Sequence, residues 1–258
     1  MQMAFTQLQK TKAESDQMKL GVIGGSGLSH FEELEVMSRE IVRTPYGEPS
    51  APVVHGKING TEFCFIPRHG AGHRLPPHRI NYRANIWAMK EIGVEAVIAL
   101  ATVGGITKGP ETLITPDQVI DYTWGREHTF FDGLNGNVTH ADFTSPFCDE
   151  LRQRLIDAAR GAGLDIVETG TYAATQGPRL ESAAEIRRLE QDGNDIIGMT
   201  VMPEAGLARE LGLCYAAIAT VVNWAAGKSD EEITQSVIDR HLGKGLADYM
   251  AVLSALNA

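Results

Sequence analysis

Long hydrophobic runs are missing from this chain of 258 residues. Its most apolar stretches, such as Val94–Thr102, fall well short of the roughly 20 residues that a membrane-spanning helix needs. The first 18 residues (MQMAFTQLQKTKAESDQM) are polar, with no apolar core and no small-residue cleavage pattern, so they do not read as a targeting signal. They are expected to form a flexible tail, with Met18 as an alternative start and residues 19–258 as the folded unit. Positive charge is also scarce. Against 33 Asp and Glu stand 23 Lys and Arg, a net charge of −10, which argues against nucleic acid and against a membrane surface as partners. A local cluster can still oppose that charge and take an anionic substrate. Cysteine is sparse too: Cys64, Cys148 and Cys214 stand far apart without a C-x-x-C spacing. That pattern predicts reduced thiols and a cytoplasmic protein. No Pro/Ser-rich linker divides the chain, and its length suffices for one domain with a full core.

What is present is an alternation. A helix-like stretch, a glycine and an apolar run recur around Gly93 (WAMKEIG/VEAVIAL), Gly163 (DAARGAG/LDIVETG), Gly193 (RRLEQDG/NDIIGMT) and Gly212 (GLARELG/LCYAAIAT). Glycine closes a helix in the left-handed conformation, and the following run then enters a sheet. The chain is therefore expected to be α/β, a single domain with a central mixed, largely parallel sheet flanked by helices. The mixed element is a hairpin, Pro52–Ile58 and Thr61–Pro67 around Asn59-Gly60. From Asp230 onward, Ile233, Val237, Leu242, Leu246, Met250 and Leu253 follow helical spacing and predict a closing helix.

Several segments could carry chemistry, and each has a plain structural reading. Lys19–Ile23 runs into Gly24-Gly25-Ser26-Gly27, whose amides can converge on an anion. As a dinucleotide fingerprint it fails, because the third glycine position holds His30. Gly227-Lys228-Ser229 imitates the end of a phosphate-binding loop, but Val222 stands where the first glycine is required. Arg68-His69-Gly70 follows a strand, and a guanidinium beside an imidazole suits phosphate or carboxylate; the plain alternative is two solvated cations. His69, His73 and His78 lack a completing carboxylate or cysteine, so no metal is expected. Glu181, in Thr175–Glu181, reads by spacing as the usual acid of a first helical turn. Asn223 reads as a turn residue. Convergence raises these above their plain readings: Ser26, Arg68, Thr102, Met199-Thr200 and Asn223 all fall at carboxyl ends of predicted strands, where a ligand crevice lies.

Taken together, GVIGGSGL (21–28), RHG (68–70), NYRANIWAMKEIG (81–93), VGGI (103–106), GPRLES (177–182), GMTVMPEAGLARELG (198–212) and VVN (221–223) resemble, in order, the trimeric purine nucleoside phosphorylase and methylthioadenosine phosphorylase family. TPYGEPS (44–50) and HADFTSPFC (140–148) are more similar to the methylthioadenosine branch. The resemblance implies that residues 19–258 form a nucleoside phosphorylase domain. It implies reversible phosphorolysis of a purine nucleoside, with inorganic phosphate as co-substrate and no cofactor. By the same resemblance Ser26, Arg68, His69, Ala101, Thr102 and Thr200 hold phosphate and Met199 supports the ribose. Leu180, Glu181, Asn223, Trp224 and Ala225 surround the base, and His140 completes a neighbour's site in a homotrimer. Asn223, Glu181 and His69 are the expected catalytic residues.

One departure narrows the substrate. The methylthioadenosine branch carries two aspartates where this chain has Asn223 and Ala225, and it lacks an acid at Glu181; the 6-oxopurine enzymes carry the Glu and the Asn. An ionised Glu181 can accept the N1–H of hypoxanthine, whereas adenine presents a lone pair there. The expected substrate is 5′-methylthioinosine, with 5′-methylthioadenosine and inosine or guanosine as alternatives. Ser236, Val237 and Ile238 are the expected lining for its 5′ group. A nucleosidase using water, a nicotinamide-dependent reductase and a non-catalytic nucleoside-binding protein are the rivals; the Arg68-His69 pair favours phosphate over water.

Overall fold

A computed structural model of the protein describes residues 18–25, 34–133 and 138–256. Strand β1 (Leu20–Gly24) lies inside the sheet, parallel to β4 (Thr61–Pro67) on one side and to β5 (Ala96–Gly105) on the other. β3 (Val53–Ile58) returns antiparallel into β4, with Ile58 opposite Thr61, and Asn59 and Gly60 between them both have positive φ (48° and 83°). The predicted hairpin is thus formed, with the turn conformation that Asn-Gly favours. β2 (Glu35–Glu40) closes that edge against β3.

Beyond β5 the sheet forks. The long strand β10 (Cys214–Trp224) runs parallel to the whole of β5 and also pairs with β6 (Leu113–Ile114). The tip of β5 instead meets β9 (Ile196–Gly198), antiparallel, and β9 leads through β8 (Thr171–Ala174) to β7 (Gln118–Asp121) by parallel pairing. The architecture is the expected single α/β domain with a mixed, largely parallel sheet. Side chains alternate across it. Val97, Ala99 and Ala101 face a core made with α1 (Tyr82–Glu91) and α4 (Val201–Glu210). Ala96, Ile98 and Leu100 face a second core made with α2 (Asp149–Gly161) and α5 (Gln235–Ala255). The remaining helix, α3 (Ala183–Gln191), covers β9 through Ile186 and Leu189.

All four glycine stops of the sequence pattern take positive φ, from 65° to 90°. At each, the residue after the glycine donates its N–H back into the helix, as Val94 does to Met89 O (3.0 Å) and Leu213 to Ala208 O (2.9 Å). Only one phrase departs from expectation. After Gly163 the predicted strand does not form; Val167 makes a single bridge to Ile114, and β8 begins at Thr171. The apolar residues Leu164 and Ile166 cover the second core from a loop, a role that periodicity alone cannot tell from a strand. The closing helix is present, and Gly245 lets it approach β10: a Cβ there would sit 2.7 Å from Thr220 Cγ2.

The expectation of three reduced thiols is corrected. Cys148 and Cys214 are joined in a disulfide, while Cys64 is a free, buried thiol. The cause is local: Cys148 is the N-cap of α2, its N–H donates to Tyr215 O (2.8 Å), and so the two backbones run side by side. The expected tail, apart from Met18, and Ser26 lie outside the described residues. Among the described residues no helix is long and apolar enough to cross a membrane.

Candidate functional site

The carboxyl ends of β1, β4, β5, β9 and β10 open onto one cavity of about 480 Å³. One end is the predicted anion site. Gly25 follows β1 beside His69, and a Cβ there would make an ordinary contact, 3.6 Å, with the His69 ring. Arg68 and His69 follow β4, and Ala101 and Thr102 come from β5; Thr102 points its side chain into the open space. Thr200, the N-cap of α4, makes no side-chain capping bond and lines the cavity. The convergence inferred from the sequence is therefore real for each of these residues that the structure describes.

Arg68 is not the solvated cation of the plain reading. It is 1% exposed, and four of its five N–H groups are occupied: by both carboxylate oxygens of Glu204 (2.5 and 3.0 Å), by Leu100 O and by Ile23 O. Glu204 is wholly buried and also accepts from the Tyr215 hydroxyl (2.9 Å). Glu204 lies within the motif GMTVMPEAGLARELG, which by itself assigns it no role. Its pairing spans 136 residues, and no local signal announces it.

His69 is bonded through Nδ1 to Leu75 O (2.8 Å), which places the proton on Nδ1 and leaves Nε2 with a lone pair. Its ring stacks on His73 at 4.3 Å between centroids. Burial above all, with the charges of Arg68 and His73, lowers its pKa to about 4, against the opposing pull of the Leu75 carbonyl. The unfolded ring takes up a proton near pH 6.5, which the folded one refuses until about pH 4. His69 therefore contributes stability that is present above pH 6.5 and lost as the pH falls to 4, by up to about 3 kcal/mol. Denaturation of wild type and His69→Gln from pH 7 to 4 should show a steeper loss in wild type, and equal slopes would contradict this assignment.

The other end of the cavity holds the predicted base residues. The structure moves Glu181 out of the helix: α3 begins at Ala183, with Ser182 as N-cap and Glu185 as its reciprocal partner in a capping box. Because Glu185 fills the acidic role at this helix start, Glu181 is left to face the cavity. Its Oε1 accepts from the Thr175 hydroxyl (2.7 Å), and burial raises its pKa. Across from it, Asn223 is aimed by a bulge. β10 and β5 stay in register up to Val221, slip at Val222, and resume with Asn223 opposite Gly104. The Asn223 Nδ2 group donates to Trp224 O (2.8 Å), which fixes the amide orientation and leaves its second N–H and Oδ1 for a ligand.

Buried Ala225, exposed Leu180 and Met199 also line the cavity. Gly177, at φ 60°, makes room for Met199, whose sulfur would lie 2.4 Å from a Cβ. Besides the expected 5′ lining, two predicted residues are not brought in. Trp224 is outside the cavity wall, its indole against Gly109. His140 is exposed and stands apart from its own chain's cavity. Of Ser236, Val237 and Ile238, only Ile238 lines the space. Val237 turns toward the protein interior and Ser236 bonds Thr234, while Ile233 and Gln235 join Ile238. Successive residues of a helix point about 100° apart, so Ser236, Val237 and Ile238 cannot all face one cavity.

Comparison with known proteins follows this geometry. The model of the Phosphorylase superfamily matches residues 19–256. The chain is 51% identical over 227 residues to the "Probable S-methyl-5'-thioinosine phosphorylase" of Xanthomonas campestris, covering 87% of this chain and 91% of the relative. It is 45% identical over 244 residues to the "6-oxopurine nucleoside phosphorylase" of Pyrococcus furiosus, covering 92% and 91%. Among solved structures, methylthioadenosine phosphorylase from Schistosoma mansoni in complex with adenine superimposes with a TM-score of 0.87 at 33% identity, covering 93% of this chain and 91% of that one.

Proposed function

The chain belongs to the phosphorylase superfamily, and from that premise we propose that it cleaves 5′-methylthioinosine with inorganic phosphate, releasing hypoxanthine and 5-methylthioribose 1-phosphate. It is an enzyme of the purine nucleoside phosphorylase class. The observation that carries the substrate is the presence of Glu181 and Asn223 in the lining of one cavity, with Ala225 where a second acid would be needed to hold an exocyclic amine.

Phosphate fits between Gly25, His69, Thr102 and Thr200, with the remaining N–H of Arg68 behind it. His69 Nε2, bare at neutral pH, accepts a hydrogen bond from monohydrogen phosphate. As the ester bond forms that proton leaves to solvent, and the departing purine anion takes one up from solvent to give hypoxanthine. An oxygen of phosphate attacks C1′ of the ribose as the C1′–N9 bond breaks, and the bonding pair moves into the purine. Positive charge on the ribose is met by the phosphate, and negative charge on the base by the free N–H of Asn223 at N7 or O6. Glu181 accepts N1–H of the oxopurine. The apolar pair Ile233 and Ile238 suits a methylthio group better than a hydroxyl. No metal or organic cofactor takes part in this chemistry. We further propose a homotrimer, in which His140 reaches a neighbour's site; its exposure, apart from its own cavity, supports that arrangement.

The test is base release from methylthioinosine, methylthioadenosine and inosine, each with and without phosphate. Phosphate-dependent release led by methylthioinosine is expected, and release by water alone or a lead for methylthioadenosine would overturn the reading. Glu181→Gln should lower kcat/KM for methylthioinosine by about ten- to a hundredfold, the worth of a hydrogen bond to a charged group. Because burial raises the Glu181 pKa, acid converts it to a donor, so the methylthioadenosine-to-methylthioinosine ratio should rise as the pH falls. A flat ratio across pH 5–8 would show that another group selects the base.

A further inference from the structure

Arg126 plays no part in the sequence reading, yet it is the most heavily bonded side chain near the site. It lies between β7 and α2, is 7% exposed and is not itself part of the cavity wall. All five of its N–H groups are engaged. Nη2 donates to Thr175 O (3.1 Å) and Gln176 O (2.9 Å), and Nε to Gln176 Oε1 (3.1 Å). Nη1 donates to Met199 O (2.8 Å), Met202 O (2.6 Å) and the Tyr82 hydroxyl (3.1 Å). The guanidinium also lies over the Tyr82 ring at 5.3 Å. These acceptors are carbonyls, an amide and a phenol. Arg68 divides its fork between a carboxylate and two carbonyls, whereas four of the six acceptors around Arg126 are backbone carbonyls.

The two backbones it holds belong to different halves of the site. Thr175 and Gln176 open the loop that follows β8 and carries Glu181, and the Thr175 hydroxyl itself donates to Glu181. Met199 and Met202 flank Thr200, in the turn from β9 into α4. A planar guanidinium offers donors along two edges in fixed directions, so it sets the separation of the two loops as well as the position of each. Lysine, with one ammonium and three donors, cannot span them. A cation buried among carbonyls costs desolvation, and a fold that needed only to fill this space would do better with an apolar side chain.

Resting on the phosphorolysis reading above, we infer that Arg126 is a positioning residue that braces the base loop against the phosphate turn, so that both substrates lose affinity when it is replaced. The brace predicts a specific pattern. Glu181→Gln should raise KM for the nucleoside alone and Thr200→Ala that for phosphate alone, but Arg126→Lys should raise both. Displacing two loops by about an ångström should lower kcat/KM about a hundredfold. Gln176→Leu removes the acceptor of Nε and keeps the buried charge, so it should show the same double effect, several-fold in size. It also decides the matter if Arg126→Lys does not fold.

The measurement is steady-state kinetics with each substrate varied in turn, alongside thermal melting of every variant. A rise in both KM values in folded Gln176→Leu or Arg126→Lys supports the brace. Variants that melt earlier but keep both KM values, or that change only one of them, overturn it. Absence of phosphate-dependent base release by the unmodified enzyme would instead count against the functional reading.

Discussion

Glu204→Gln should destabilise the protein by about 3–5 kcal/mol and raise the KM for phosphate in the same variant. Glu204 is wholly buried and gives both carboxylate oxygens to Arg68, whose guanidinium is itself 1% exposed. The pair holds Arg68 firmly protonated, against the burial that alone would favour its neutral form. Glutamine keeps the shape but removes the charge, which leaves a guanidinium inside the protein with no counter-ion. The Tyr215 hydroxyl, which donates to Glu204 Oε2, then faces an amide that can present N–H in its place. The functional effect follows from direction. Four N–H groups of Arg68 are fixed by protein, so the fifth is aimed only as well as those four bonds allow. Urea denaturation and phosphate kinetics on the same preparation check both halves. A loss below about 1 kcal/mol would mean that water or a local shift satisfies Arg68. Replacing both members, Arg68→Met with Glu204→Leu, should recover much of the stability and none of the phosphate affinity.

Reduction of the Cys148–Cys214 disulfide should cost about 4 kcal/mol. The estimate rests on loop length: the bond closes 66 residues of chain, and the entropy it removes from the unfolded ensemble scales with the logarithm of that number. The site should change little, because both cysteines lie at the amino ends of their elements, α2 and β10, away from the cavity at the carboxyl end. Thermal melting with and without reductant, compared with Cys148→Ser, reads the effect, with activity assayed below both transitions. If the reduced protein melts within a degree or two of the oxidised one, the native contacts between Cys148 and Tyr215 already supply what the bond constrains.

Much of the fold was legible in the sequence, and the reason is that its signals are local. The Asn59-Gly60 hairpin and the four glycine-stopped helices each depend on a few adjacent residues, and all appear where expected. The site was legible to the extent that motifs sit at strand ends. What escaped was non-local or depended on one residue of register. Glu204 pairs across 136 residues and the disulfide across 66. Arg126 draws on three separate segments. Glu181 looked like a helix acid because Ser182 and Glu185, which take that place, follow it at once. Ser236 and Val237 are expected beside Ile238 on the family resemblance, and the sequence does not say which of three successive helical residues meets the cavity.

The slip at Val222 has a consequence for how such a protein diversifies. On both sides of it β10 stays tied to β5, with Asn223 opposite Gly104 and the Ala225 N–H on Gly105 O (2.8 Å). The slip lets Asn223 keep its place in the sheet while its side chain lines the cavity. Ala225 serves two surroundings at once, because it lines the same cavity and packs with Ile186 and Ile197 in a core cluster. An acid at Ala225 would therefore enter apolar company as well as the cavity. A change of diet written there is coupled to risk for the scaffold, whereas one written at Asn223 is less so.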